Sequence, residues 1–335
     1  MNRKNQALSS ALESSGSQPG TFPLLAQKAR EKWGTLMAIA LVVLLTSAAA
    51  LASTPQGTFD RTLTVNGPVN LEVYTHSGDV RVRAGGSGSV QIHGKIFVGD
   101  RWFGGRREDD VHAIEQNPPI HQDGNNVHVD YVDYRNISID YDITVPVETT
   151  VRTKSGSGDQ TIEGTRGNVD VQTGSGDVRL SNLNGEIRLQ TGSGDVRARQ
   201  VSGSVKGGTG SGDVEVEESG PGDIDLHTGS GGVTARGVQG SFRGETGSGD
   251  VTAEGAPSGP WEVRTGSGNV HLRLPSNAAF EADISTSSGS IDVNAPLEMT
   301  VQGRVGDSHK SIHGKVRGGG PLVRVRTGSG DIHVE

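Results

Sequence analysis

The chain has 335 residues, a net charge of −8, no cysteine and only 4% aromatic residues, while 51 residues are glycine. The absence of cysteine excludes disulfides and thiolate chemistry. The first 52 residues carry five Lys/Arg against two Asp/Glu, and the remainder carries 26 against 37, or −11. That balance, with no basic patch, argues against nucleic acid as a partner.

Residues 1–33 are polar and Ser/Gln-rich, end in Lys28, Arg30 and Lys32, and read as a disordered tail. Residues 34–52 are uncharged, with an apolar heart at Leu36–Leu45 and a close at Ala50-Leu51-Ala52. Two readings stand side by side. One is a secretory signal peptide cleaved after Ala52. The other is an uncleaved transmembrane anchor with its amino end in the cytoplasm. Both place the rest of the chain outside the cytoplasmic membrane, in the cell envelope.

Residues 57–150 are irregular. Thr62–Val73 reads as two short strands around Asn66-Gly67-Pro68, and His76–Val82 is an early copy of a repeat seen later. Val90–Ile96 is another strand. Arg106–Gln116 is charged, with Val111 and Ile114 three apart, and predicts a short helix ended by Asn117-Pro118-Pro119. Val127–Val132 and Ile137–Ile143 alternate again. This part is expected to supply the first solenoid turns, an insertion, and the cover that an open solenoid end requires.

Residues 151–335 are governed by a period. Asp159, Asp177, Asp195 and Asp213 each close a Gly-Ser-Gly, 18 residues apart; Gly232, Asp250 and Asn269 follow at 19, 18 and 19. A second turn lies midway, as at Asn184-Gly185 and Ser202-Gly203. Each half opens with strand-period alternation, such as Val178/Leu180, Ile187/Leu189 and Val196/Ala198. The predicted fold is therefore all-β: a single-stranded parallel β-solenoid (β-helix) with about 18 residues per turn and about ten turns, preceded by the amino-terminal hydrophobic signal or anchor helix. A column of Thr173, Thr191, Thr209, Thr228, Thr246 and Thr265 points inward by strand phase, where each hydroxyl can bond a neighbouring rung. Phe242 and Trp261 fall on the same inward phase. The repeat loosens after Pro275 and returns at Thr327–Ile332, leaving Ile332–Val334 as an expected strand edge for self-association.

The serial Ser-Gly-Asp-Val turns, the Val145-Pro146-Val147 strand leading to Asp159, and the amino-terminal apolar segment resemble the bacterial putative-adhesin family. Its members are β-helical domains of unknown function, and related domains occur in envelope-stress proteins of Gram-positive bacteria. The resemblance covers roughly residues 57–335. It implies fold and envelope location, and it brings no catalytic motif.

Three chemistries compete with a purely structural reading. Nine-residue Gly/Asp repeats bind calcium, and the column Asp159, Asp177, Asp195, Asp213 and Asp250 supplies the calcium candidates. The spacing differs from that pattern, however, and Gly232 and Asn269 show that the corner does not demand a carboxylate. Asp is also a common cap for turn amides. An envelope-polysaccharide-degrading enzyme needs paired carboxylates in a cleft with long walls, and the corners here are short. His112, His121 and His128 lie at spacings that match no zinc pattern and read as scattered surface histidines. The expected function is non-enzymatic, with neither cofactor nor metal. The expected role is a surface adhesin or scaffold whose partner is a surface glycan or protein, with membrane contact if the apolar segment is uncleaved.

Overall fold

The computed structural model describes residues 54–99, 106–134, 136–294, 297–300 and 310–335. The tail 1–33 and the apolar segment 34–52 lie outside the described residues, so the anchor and signal readings are untouched by it. No described helix is long and apolar enough to cross a membrane.

Thr54–Glu335 forms one compact unit. It is a solenoid of ten coils, each giving one strand to a 13-stranded sheet and one to a 14-stranded sheet. Neighbouring coils pair in parallel and in register: Val169–Ser175 lies on Ile187–Ser193, and Val178–Asn184 on Val196–Ser202. The inward positions of the two sheets are small aliphatics, and the core runs the length of the rod. Phe242 and Trp261 are buried inside it, as expected, at 1% and 0% exposure. Their bulk is offset by glycine on the same face; a Cβ on Gly244 would lie 2.7 Å from the Phe242 ring.

The corner accounts for the glycines. Gly192 and Gly194 flank the exposed Ser193. A Cβ on Gly192 would stand 2.6 Å from the Gly174 carbonyl oxygen of the coil below, and one on Gly194 would stand 2.2 Å from that of Gly176. Gly194 also has φ +135°. Only a residue without Cβ allows the coils to approach at the strand spacing. The threonine column next to the corner is buried, and from Thr191 onward its hydroxyls donate to the adjacent coil, for example Thr209 to Gly194 O at 3.0 Å and Thr228 to Gly212 O at 2.9 Å.

Three of the coils have one feature more than two strands and two corners. Asn182 and Gln200 take positive φ (both 54°), as does Gly237. The chain bends there and lays Leu183, Val201 and Val238 against a narrow third side of the core. Asn and Gly tolerate this conformation, which gives the bend its residue preference.

The first coil is Val69–Ser77 with Val80–Ala84, and it stacks directly on Thr149–Ser157 and Gln160–Glu163. The intervening residues form the expected cover. Ser89–Val98 runs antiparallel to Ile137–Val145, and Gly57–Thr64 antiparallel to Ser89–Val98. The predicted helix Arg106–Gln116 exists, with Val111 and Ile114 buried. Glu115 accepts from the Thr58 amide at 2.9 Å, and Arg61 donates to the last-turn carbonyls of Glu115 and Gln116.

The carboxyl-terminal coils depart from chain order. Leu322–Ser329 and Ile332–Val334 lie between the coil Trp261–Arg273 and the coil Phe280–Val293. Ile332–Val334 is thus an internal strand paired on both sides, which corrects its reading as a free edge. One outward column is consistent with this order. Direct stacking of Phe280–Ser288 on Trp261–Ser267 would set Asp283 beside Glu262. The observed order places Arg324 between them, with Nε 2.8 Å from Asp283. Like charges on adjacent strands are unfavourable, and the order separates Glu262 from Asp283, although it also sets Arg326 beside Arg264. The column of corner hydrogen bonds also passes unbroken through this order: Asn269 Oδ1 accepts from the Asp331 amide, and Asp331 Oδ1 from that of Ser290.

Candidate functional site

The five calcium candidates do share one face, and their geometry assigns them a different task. Each carboxylate reaches along the rod to the next coil. Asp159 Oδ1 accepts from the Asp177 amide, Asp177 from Asp195, and Asp195 from Asp213, each at 3.0 Å. Asp213 accepts from Gly232 at 2.8 Å, and Asp250 from Asn269 at 2.7 Å. The early copy joins in, since Asp79 Oδ1 accepts from Asp159 at 2.9 Å. The second oxygens of three of them meet arginines: Arg179 lies 2.7 Å from both Asp159 and Asp177, and Arg197 2.8 Å from Asp195. Partial burial raises the Asp159 carboxyl, but the hydrogen bonds from Arg179 and the Asp177 amide outweigh it and hold it below the usual range. Among the described residues, no group of three or more His, Asp or Glu is placed to hold a metal ion.

Two substitutions separate the backbone cap from the charge. Asp177→Asn keeps an acceptor for the Asp195 amide and loses only half-exposed ion pairs, so stability should fall by no more than about 1 kcal/mol. Asp177→Ala leaves that amide unpaired and should cost about 1–3 kcal/mol. Denaturant midpoints of the two variants give the comparison.

The third side of the core holds a residue that the sequence reading missed, although strand alternation after Val214 and Val216 points it inward. Glu218 sits in register with Val201 and is 7% exposed. Its Oε2 faces the Gln239 amide at 3.4 Å, and its Oε1 has no partner in the protein. Burial, opposed by the Gln239 hydrogen bond and assisted by the Asp223 charge, pushes its carboxyl up to about 7. The folded state therefore holds a proton that the unfolded state releases near the ordinary Glu value. This contribution to stability is fully present below about pH 4.5 and is lost as pH rises toward 7, to a total of at most ~3 kcal/mol. Glu218→Gln should flatten that slope, which urea titrations across the window would detect.

A recess with polar and aromatic walls lies at the amino-terminal end of the 14-stranded sheet. The hairpin Ile120–Asp123/Asn126–Val129 adds to the outer side of Val69–Ser77. A shallow groove of about 440 Å³ follows, lined by Asn70, Glu72, Asn126, His128, Arg152 and Asp170 among others. That size is ordinary for a small-ligand site. His128 stands between two carboxylates, with Nδ1 3.2 Å from Glu72 and Nε2 2.7 Å from Asp130. His121 reaches Asp130 at 3.3 Å. Arg152 joins Glu72 at 3.2 Å to Asp170 at 3.4 Å. His121 and His128 are cross-strand partners, so they are not scattered. The signal for this was the two-residue loop Gly124-Asn125, a short hairpin turn with Gly124 at φ +58°.

Beside the groove is an aromatic stack. Tyr131 lies over Tyr74 with ring centroids 5.7 Å apart and planes 19° apart, and over His76 at 4.6 Å. His128 meets the Tyr74 ring edge-on at 5.0 Å. Tyr131 stays 40% exposed and Tyr134 39%, the two exposed aromatics among the described residues. Burial and the nearby Glu72 raise the Tyr74 hydroxyl, which donates to Glu72 at 3.3 Å.

No curated protein matches the chain. Two solved structures resemble it. A putative cell adhesion protein from Clostridium sporogenes is 12% identical over 84% of this chain and 99% of its own, with a TM-score of 0.24. A putative adhesin from Bacteroides fragilis is 14% identical over 84% of this chain and 98% of its own, with a TM-score of 0.36. The family model described as Toastrack DUF4097 matches residues 69–335, beginning at the first residue of the first coil. With its repeating Ser-Gly-Asp corners and stacked parallel coils, the chain belongs to the Toastrack DUF4097 family.

Proposed function

We infer that this is a non-enzymatic binding and scaffold protein of the cell envelope, carried across the cytoplasmic membrane by residues 34–52. The observation that supports it is the commitment of the outer faces. Along the 14-stranded sheet, the column Glu72, Arg152, Asp170, Arg188, Lys206, Asp225, Arg243, Glu262, Arg324, Asp283 largely alternates in sign and knits coil to coil. Carboxylates held in such pairs are poor general acids or bases. A rigid rod with fixed faces is suited to display and contact. The amino-terminal groove and aromatic stack give it a place to hold a partner.

Location is tested with a membrane-impermeant amine reagent on spheroplasts of producing cells. Lys154 and Lys206 are exposed and should be modified before lysis. Modification only after lysis would overturn the envelope assignment.

A further inference from the structure

We propose that the Tyr131 stack and the adjoining groove form a binding site for an uncharged, hydroxyl-rich glycan chain. The inference rests on reading the protein as a binding module, and it names the ligand class of that module.

Four observations carry it. First, Tyr131 covers Tyr74 and His76 with one side of its ring, at 5.7 and 4.6 Å, yet remains 40% exposed. It is a flat apolar surface fixed from below, which is what the C–H face of a sugar ring packs against. Second, the groove next to it crosses five neighbouring strands, from Asn126 through Asn70, Arg152 and Asp170 to Arg188, a span that suits a chain. Third, its polar walls are mixed. The Asn70 and Asn126 amides, hydrogen-bonded at 2.9 Å, offer donors and acceptors of both kinds. Carboxylates and guanidinium groups extend the set at Glu72, Arg152 and Asp170.

The fourth observation decides the charge of the ligand. Every charged group on the groove wall is already paired: Glu72 with Arg152 and His128, Asp170 with Arg152, and Glu186 with Arg188 at 2.6 Å. Three carboxylates and two guanidinium groups thus alternate along the wall, so a polymer charged with either sign meets like charge as well as opposite charge. Hydroxyl groups can instead share the remaining lone pairs and N–H groups without breaking any pair. The binding surface thus fits a neutral polyol better than a charged polymer. The same pairing fixes the wall side chains, so little ordering remains to be done on binding.

The test uses the full chain, purified in a detergent without a sugar head group and titrated calorimetrically. The probes are hexamers of β-1,4-linked N-acetylglucosamine, of β-1,4-linked glucose, and of α-1,4-linked galacturonate. The expected result is binding of at least one neutral hexamer, with little dependence on salt. The N-acetylglucosamine and glucose arms distinguish an amino-sugar polymer from a plain hexose polymer. Tyr131→Ala should weaken that binding by about tenfold, and Tyr131→Phe should preserve it, because the ring face makes the contact. Tyr131→Phe should keep the wild-type unfolding midpoint, and Tyr131→Ala, which loses the ring contacts with Tyr74 and His76, should lower it only slightly, so both remain folded at the titration temperature. Absence of binding by both neutral hexamers at millimolar concentration would overturn the proposal. So would preference for the galacturonate hexamer, or neutral binding that is unchanged in Tyr131→Ala. These outcomes are read on purified protein. Failure of the envelope assignment is read separately, on spheroplasts.

Discussion

Gly194→Ala should destabilise the solenoid by about 2–5 kcal/mol, although it adds a single methyl group at a surface corner. Two costs add. The residue has φ +135°, a conformation that an L-residue with a Cβ adopts only under strain of about 1–2 kcal/mol. The new Cβ would also stand 2.2 Å from the Gly176 carbonyl oxygen and 2.6 Å from its carbon. Backbone of the coil below cannot give way, because the Gly176 amide donates to Ser193 O at 2.9 Å and the Gly194 amide to Ser211 O at 3.1 Å. Overpacking of this kind costs about 1–3 kcal/mol more. Ser193→Ala, one residue away on the exposed tip, should lie within about 0.5 kcal/mol of wild type. Urea midpoints for the pair test this. Similar stability of the two variants would mean that the coils are not stacked as closely as described.

Trp261→Ala should cost about 3–5 kcal/mol, by the loss of the largest fully buried side chain among the described residues. The indole packs edge-on against Phe242 with centroids 5.6 Å apart, and its Nε1 donates to Gly240 O at 3.2 Å. Its backbone pairs with Phe242 on one side and Val323 on the other. The cavity would therefore open beside the intercalated last coil. Each coil of a solenoid contacts only its neighbours, so damage here should show first as faster amide exchange in Trp261–Arg273 and Leu322–Val334. Trp261→Phe retains most of the ring volume and should cost clearly less. Equal losses in the two variants would contradict the packing described.

Much of the fold is legible in the residues because the corner is so demanding. No residue but glycine fits at Gly192 and Gly194, and a side chain able to cap an amide is favoured just after them. Positions under such constraints repeat visibly, and their spacing gives the coil length. Alternation then gives the two sheets, and strand phase places Thr209, Phe242 and Trp261 inside. The order of the last two coils is not legible in this way. Phe280–Val293 and Leu322–Val334 carry nearly the same corner, and either could stack on Trp261–Arg273 by register alone. The outward residues do not decide it either: the observed order sets Arg324 between Glu262 and Asp283 but also Arg326 beside Arg264. The third side of the core was hidden because the bend at Asn182 and Gln200 interrupts the strand alternation, so Leu183 and Val201 fall out of phase with the residues before them, whereas Glu218 follows Val214 and Val216 in phase.

The amino-terminal groove was legible only in its parts. Tyr74 and His76 stand in the first coil, while His128 and Tyr131 come more than 50 residues later. They meet because the hairpin Ile120–Asp123/Asn126–Val129 docks in parallel on Val69–Ser77. Sequence distance reveals nothing of that docking. The aspartates posed the opposite problem. Their column was plain from the period, but a period cannot say whether a carboxylate faces an ion or an amide.

That distinction bears on the central claim, that the aspartate column is a hydrogen-bonded ladder tying coil to coil. Thermal unfolding of the full chain, in chelator and then in millimolar calcium, tests it most directly. The ladder predicts a cooperative melt in chelator with a midpoint that calcium leaves unchanged, because Oδ1 of Asp159, Asp177, Asp195, Asp213 and Asp250 is already occupied by a backbone N–H. A rise of many degrees on adding calcium would contradict it, since a ligand that binds only the folded state stabilises that state in proportion to its occupancy.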